Sequence, residues 1–343
     1  MDGYLFGHFI GEGDENGEQI YFSVSEDGLH FQDLNGGKPV VVSNIGEKGV
    51  RDPFLYRSKD GKHFYLIATD LSIYHRGGWF KNNEGYYDAS TTGSPYLVLW
   101  QSSDLINWGE PKLIKVAPEN AGMAWAPEMI YHEESESYII FFASSIMNPE
   151  TKMKAKPNAI YYVQTKDFES FSEPKLFIDC QNGREIIDTT VLKVGDWYYS
   201  CSKDGDNSEK GGGIILLKTK NLLDYTSWKK VLDLKSLGLD LSGIKSKELD
   251  NGFLEGPELF VFNQKDWENP EVPEYGLIAD QYMVGAGYLP IKTTDLEDKD
   301  NSKQSWKILS SDEYSFDKLK KRHGTILNIT KDELEALKKA FGD

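Results

Sequence analysis

The sequence predicts an all-β fold, a five-bladed β-propeller with four-stranded blades, and three observations carry that expectation. Short runs rich in aromatic and β-branched residues are bounded by Gly, Pro, Asp and Asn, the pattern of strands joined by turns. A Ser or Thr, then an acidic or turn residue, then an aromatic recurs as "SEDGLHF" from Ser25, "SSDLINW" from Ser102, "TKDFESF" from Thr165, "TKNLLDYTSW" from Thr219 and "TTDLEDKDNSKQSW" from Thr293. Finally, Asp52, Glu128, Asp188, Glu255 and His323 each open a unit, at intervals of roughly 68 residues, so five units fill the whole chain, 1–343, as a single domain.

The units follow in order. "DPFLY" precedes "HFYLIAT" and "YLVLWQS"; "PEMIY" precedes "YIIFFAS" and "AIYYVQT"; "TTVLKV" precedes "WYYSCS" and "GIILLKT"; "PELFVF" precedes "YGLIA" and "YMVGAGYLP". Each triplet is expected to gain a fourth strand holding the aromatic of the recurring motif. "HGTILNI" at His323–Ile329 has no later partners, and "YLFGHFI", "QIYFSVS" and "LHFQDL" have no preceding inner strand. Together they make a fifth blade from both chain ends, which closes the ring and protects its sheet edges. The tail reads as a helix over about 331–341, with Thr330 as N-cap, Glu333 three residues on, Leu334 and Leu337 as an apolar stripe and Gly342 at the end.

Composition narrows the function. The formal net charge of -17 repels a phosphate backbone, which argues against nucleic acid as a partner, while a neutral substrate, an oligosaccharide or polysaccharide among them, is tolerated. No tract is long enough for a membrane span, and 17 Phe, 19 Tyr and 8 Trp suit both sheet cores and sugar-binding clefts. Cys180 and Cys201 form neither a disulfide framework nor a metal knuckle and read as small buried hydrophobes. The start "MDGYLFGHF" carries no export signal, which implies a cytoplasmic protein, or a periplasmic or secreted one whose leader was removed. "KDEL" from Lys331 is internal and is no retention signal.

The residue ahead of each inner strand of a propeller faces the central funnel, so the four acids among the anchors are expected around one axis. Taken singly, an Asp or Glu beside Pro or Gly is ordinary turn chemistry. Recurrence in four successive units points instead to function, because crowded carboxylates raise one another's pKa and destabilise a fold. Without a nucleophile triad, phosphate loop or nicotinamide fingerprint, two uses fit: glycosidic hydrolysis by a carboxylic acid and a carboxylate, or calcium ligation by oxygens.

"RDPFLY" at Arg51, "AWAPEM" at Ala124, "IDTTV" at Ile187, "EGPEL" at Glu255 and "HGT" at His323 resemble, in order and over nearly the whole chain, family 43 of the glycoside hydrolases, five-bladed propeller enzymes acting on arabinose- and xylose-containing glycans. The resemblance implies that Asp52 is the general base, Asp188 the acid that tunes and orients the general acid, and Glu255 the general acid. It also implies inversion, with the Asp52 and Glu255 carboxyls ~6.5 to 9.5 Å apart. The chain departs from the family pattern at Glu258, where His is common, and at Thr189, where Pro is common. No cofactor is required for the chemistry; a structural calcium ion in the central channel, contacted by His323, is the ion expected.

Substrate-binding candidates are Arg51 beside the base, Trp125 in "MAWAPE", Glu128 with a subsite or structural role, and Trp79 in the polar, aromatic segment Ser72 to Gly93. That segment reads as a loop over the funnel, with Trp79, Tyr86 and Tyr87 as wall residues, and a crowded mouth favours removal of terminal sugars. The leading expectation is an inverting exo-acting α-L-arabinofuranosidase. A β-xylosidase or galactosidase of the same fold and a catalytically inactive glycan-binding propeller are the alternatives, and a metal-dependent phosphatase is disfavoured by the negative charge.

Overall fold

Five antiparallel sheets of four strands account for nearly all regular structure in the computed structural model, which describes residues 1–82, 86–179, 183–205, 213–237, 254–282, 285, 287–299 and 305–342. The innermost strands are Val50–Arg57, Trp125–His132, Ile186–Val194, Glu255–Val261 and Arg322–Ile329. Each touches the next in that order and the last returns to the first, which makes a five-bladed propeller. In the closing blade Arg322–Ile329 pairs with Gly3–Phe9, which continues through Tyr21–Ser25 to Phe31–Asp33. Both ends of the chain therefore build one sheet, as the unpartnered terminal runs imply.

Local chemistry explains the recurring turn. Ser25 Oγ accepts from the backbone N–H of Asp27 and Gly28, Ser102 Oγ from Asp104 and Leu105, and Thr165 Oγ1 from Asp167 and Phe168. The acid then accepts from the N–H groups two and three residues further on, as Asp104 does from Ile106 and Asn107. These bonds satisfy a tight chain reversal at the end away from the funnel. The aromatic does not sit in the fourth strand throughout. Phe31 and Trp306 begin theirs, but Trp108 and Phe171 precede Lys112–Lys115 and Lys175–Ile178, because the reversal itself consumes those residues.

Packing lies mainly between blades. Leu5, Phe22 and Val24 of the closing blade meet Leu55, Leu66 and Trp100 of the next, and Leu334 and Leu337 cover the seam. Those leucines belong to the helix Lys331–Phe341, whose Thr330 and Glu333 form a reciprocal capping box. Arg57 from the neighbouring inner strand grips Glu333 through both guanidinium nitrogens at 2.6 and 2.8 Å. Cys201 is buried and free; Cys180 lies outside the described residues. Among the described residues no helix is long and apolar enough to cross a membrane.

Candidate active site

Every inner strand carries one extra residue near its start. The ladder skips at Asp52–Pro53, Ala126–Pro127, Asp188, Gly256–Pro257 and His323–Gly324. Such β-bulges bend a strand and redirect its side chains. Pro is tolerated there because no ladder donor is needed, and Thr189 replaces it where the third bulge is one residue shorter, placing its Oγ1 2.8 Å from Ser202 Oγ. Asp52, Ala126, Asp188 and Gly256 all have φ near +50°, a strained backbone for the three non-glycine residues.

This register corrects the anchor series. Asp52, Asp188 and His323 are equivalent, but Glu255 stands one residue before its bulge and Glu128 just after its own. Side chains alternate along a strand, so Glu255 and Glu128 approach the axis differently from the others. Glu128 is 4% exposed and neighbours buried Glu258 instead of opening onto the funnel. Burial and mutual repulsion hold the Glu128 carboxyl well above the usual range, and burial likewise raises Glu258. Glu258 accepts from the N–H of Ile326 at 3.1 Å, tying the fourth and closing blades.

Asp52, Asp188, Glu255 and His323 come together from four blades. Asp52 Oδ1 lies 3.4 Å from His323 Nδ1, and its Oδ2 accepts from Thr69 Oγ1 at 2.8 Å. Thr69 Oγ1 in turn accepts from the N–H of Ala126 at 2.8 Å. Burial pushes the Asp52 carboxyl up, but His323, Arg51 and Thr69 outweigh it and the net shift is downward. Asp188 Oδ2 accepts from the N–H of Gly256 at 3.1 Å, immediately beside Glu255. Burial raises Asp188, against the opposing pull of His323 and Lys203. Although burial disfavours its charge, His323 is raised to about 9 by Asp52, Asp188 and Glu255.

Glu255 is gripped by two cations that its motif does not reveal. Lys203 Nζ donates to Oε2 at 2.8 Å and Arg322 Nη2 to Oε1 at 3.0 Å. Arg322 also pairs through Nε with fully buried Asp280, while Lys203 lies 4.5 Å from the Tyr282 ring centroid. Their only signals were position: Arg322 precedes the "HGT" motif, Asp280 ends the "YGLIA" strand, and Lys203 follows "WYYSCS".

Arg51 is buried and pairs with Glu18 at 2.9 Å and Glu12 at 3.6 Å. Its guanidinium sits 4.5 Å from the Phe9 ring centroid and 4.9 Å from that of Trp79. Trp79 donates from Nε1 to Glu12 at 3.1 Å and meets Trp125 edge to face at 6.0 Å. Glu12 also lies 3.6 Å from Arg322, so this N-terminal loop residue connects the aromatic wall to the cation on Glu255. The segment from Ser72 forms a short helix, Ile73–Arg76, and the paired strands Phe80–Asn82 and Tyr86–Asp88 at the funnel end. The side chains of Tyr86 and Tyr87 lie outside the described residues.

A five-bladed ring with acids converging at one mouth of its channel is the architecture of the propeller glycosidases. Residues 1–335 match the model of a family described as "Probable glycosyl hydrolase domain" and related to family 43. The chain belongs to that family. It is similar to an α-L-arabinofuranosidase of Bifidobacterium longum subsp. longum, 30% identical over 321 residues, covering 86% of this chain and 28% of that protein. The chain thus spans little more than a quarter of that relative's length. Two solved structures share the fold at 13% identity. The α-L-arabinanase of Penicillium chrysogenum with arabinobiose covers 91% of this chain and 78% of its own, with a TM-score of 0.56. An α-L-arabinofuranosidase of Fusarium graminearum with an iminosugar inhibitor covers 86% and 74%, with a TM-score of 0.54.

Proposed function

We propose that the chain is an inverting, exo-acting α-L-arabinofuranosidase that releases terminal arabinofuranose from oligosaccharides or glycan side chains. Asp52 takes a proton from the attacking water, Glu255 protonates the leaving glycosidic oxygen, and Asp188 orients Glu255 through the Gly256 N–H. The reading is supported above all by the convergence of these three acids, from three blades, around His323. The arabinofuranosidase relative supports the choice of sugar.

In this reading the lowered pKa of Asp52 keeps it a carboxylate, the form a general base requires. Both oxygens of Glu255 accept from cations, so to act as the acid Glu255 gives up one of those contacts, takes a proton on that oxygen and passes it to the leaving oxygen of the bound glycoside. Trp79 and Trp125 wall the sugar site, and Arg51 holds Trp79 in place from behind. We assign Glu128 to the channel wall and not to the sugar, because its carboxyl has almost no exposed surface.

In this reading His323 supplies positive charge to the channel, facing Asp52 at 3.4 Å within the field of Asp188 and Glu255.

A panel of aryl arabinofuranosides, xylosides and galactosides, with the first-formed anomer followed by NMR, tests the assignment. Arabinofuranoside preference with an inverted product is expected. Preference for xyloside or galactoside would reassign the sugar, and a retained anomer would overturn the mechanism.

A further inference from the structure

Glu12 is a carboxylate at the funnel mouth with no part in the chemistry proposed above. It lies in the loop that follows Gly3–Phe9 of the closing blade, and that blade sits between the first, which carries Asp52, and the fourth, which carries Glu255. Its Oε2 is 3.6 Å from Arg51 Nη1 and 3.6 Å from Arg322 Nη1, both longer than a hydrogen bond. Each guanidinium already has a nearer carboxylate. Arg51 has buried Glu18 at 2.9 Å, and Arg322 has Asp280 as well as Glu255, the latter at 3.0 Å. Ion pairing alone therefore does not account for the place of Glu12.

The surroundings of Glu12 suit a sugar. Trp79 Nε1 donates to its Oε1 at 3.1 Å, which sets the carboxylate against the aromatic wall that Trp79 makes with Trp125. Its own backbone N–H is a second donor. A carboxylate accepts at about four lone-pair positions, and the side chain is 31% exposed, so acceptor capacity remains for a ligand. Only the guanidinium of Arg322 separates this carboxyl from that of Glu255. Burial works against the charge of Glu12, but Arg51, Trp79 and Arg322 outweigh it and hold the carboxyl below its usual range. An ionised carboxylate only accepts, so what it binds must donate, and the donors of a neutral glycan are its hydroxyl groups.

We propose that Glu12 accepts a hydroxyl of the sugar ring that occupies the funnel and so selects glycosides carrying that hydroxyl. The proposal rests on the glycosidase reading of the funnel. Trp79 and Glu12 act as one unit: the indole walls the ring, and its N–H holds the carboxylate that reads the ring's edge. A glycoside lacking the hydroxyl leaves a charged, half-buried acceptor unpaired and is rejected on that account.

The test is kcat/KM of the wild type, Glu12→Gln and Glu12→Ala on the aryl glycoside that the wild type cleaves best and on its monodeoxy analogues. Glu12→Ala should lower the ratio of parent to at least one analogue by roughly ten- to a hundred-fold. Glu12→Gln keeps an acceptor without its charge and should lower that ratio less. Damage passed through Trp79 or Arg322 slows every substrate alike, so ratios unchanged for all analogues would overturn the proposal and leave the glycosidase reading standing. Calorimetry of an aryl α-L-arabinofuranoside and its monodeoxy analogues on Glu255→Gln, with and without Glu12→Ala, reads the same contact without turnover. If the wild type cleaves no glycoside, the glycosidase reading falls. The contact then stands only where adding Glu12→Ala weakens binding of the parent more than of one analogue; equal weakening, or no binding, would overturn it too.

Discussion

Replacing His323 by Gln should make the stability deficit of the variant depend on pH in one direction only. In the folded chain Asp52, Asp188 and Glu255 raise His323 from 6.5 to about 9 against the cost of burial. A raised histidine contributes stability that is fully present below its unfolded pKa and is lost as pH rises through the folded one. The shift corresponds to about 3 kcal/mol, and the side chain is only 11% exposed, so solvent screening removes little of it. Urea unfolding of the wild type and His323→Gln at about pH 6 and about pH 10 measures the gap. The difference in unfolding free energy should shrink by about 3 kcal/mol between those pH values. A gap constant to within ~0.5 kcal/mol would refute the imidazolium and with it the assignment of the channel's positive charge.

Other expectations follow from single contacts. Thr69→Val removes the donor to Asp52 and leaves the buried N–H of Ala126 unpaired, which should cost about 1–3 kcal/mol in urea unfolding and slow turnover. Gly256→Ala places a methyl 2.6 Å from His323 Cγ at a φ of +53°, so loss of activity should exceed that of any surface Gly→Ala control in the same assay. For Glu258 the sign is opposite to that of His323. Burial raises its folded pKa, so the folded state binds the extra proton and wild-type stability falls as pH rises above the ordinary carboxyl value. Glu258→Gln should therefore gain stability relative to the wild type from about pH 5 to about pH 8, and thermal melts across that range check it.

Much of the ring was legible because its causes are local. The Ser/Thr–acid turn is made by side chains bonding the backbone two or three residues away, so it appears in sequence wherever it appears in space. The helix cap at Thr330 and Glu333 is equally local. Asp52, Asp188 and Glu255 stood out in the sequence because the first two sit in, and the third directly precedes, a bulge that recurs at the start of each inner strand. The bulge also hid something: one extra residue per inner strand shifts alternation, so equal spacing did not mean equal direction, and Glu128 turned from the funnel to the channel wall. Lys203, Arg322, Asp280 and Glu12 were not legible, since each acts across blades on a partner far away in sequence. A lone Lys or Arg at a strand end carries no mark of which neighbouring blade it will reach.

The most direct measurement is turnover of Glu255→Gln on whichever glycoside of the aryl panel the wild type cleaves best, with fold confirmed by circular dichroism. Loss of the proton donor should lower kcat by about 10²–10⁴ while substrate binding survives. Hydrolysis at the wild-type rate in a folded Glu255→Gln protein would contradict the placement of the active site in this funnel.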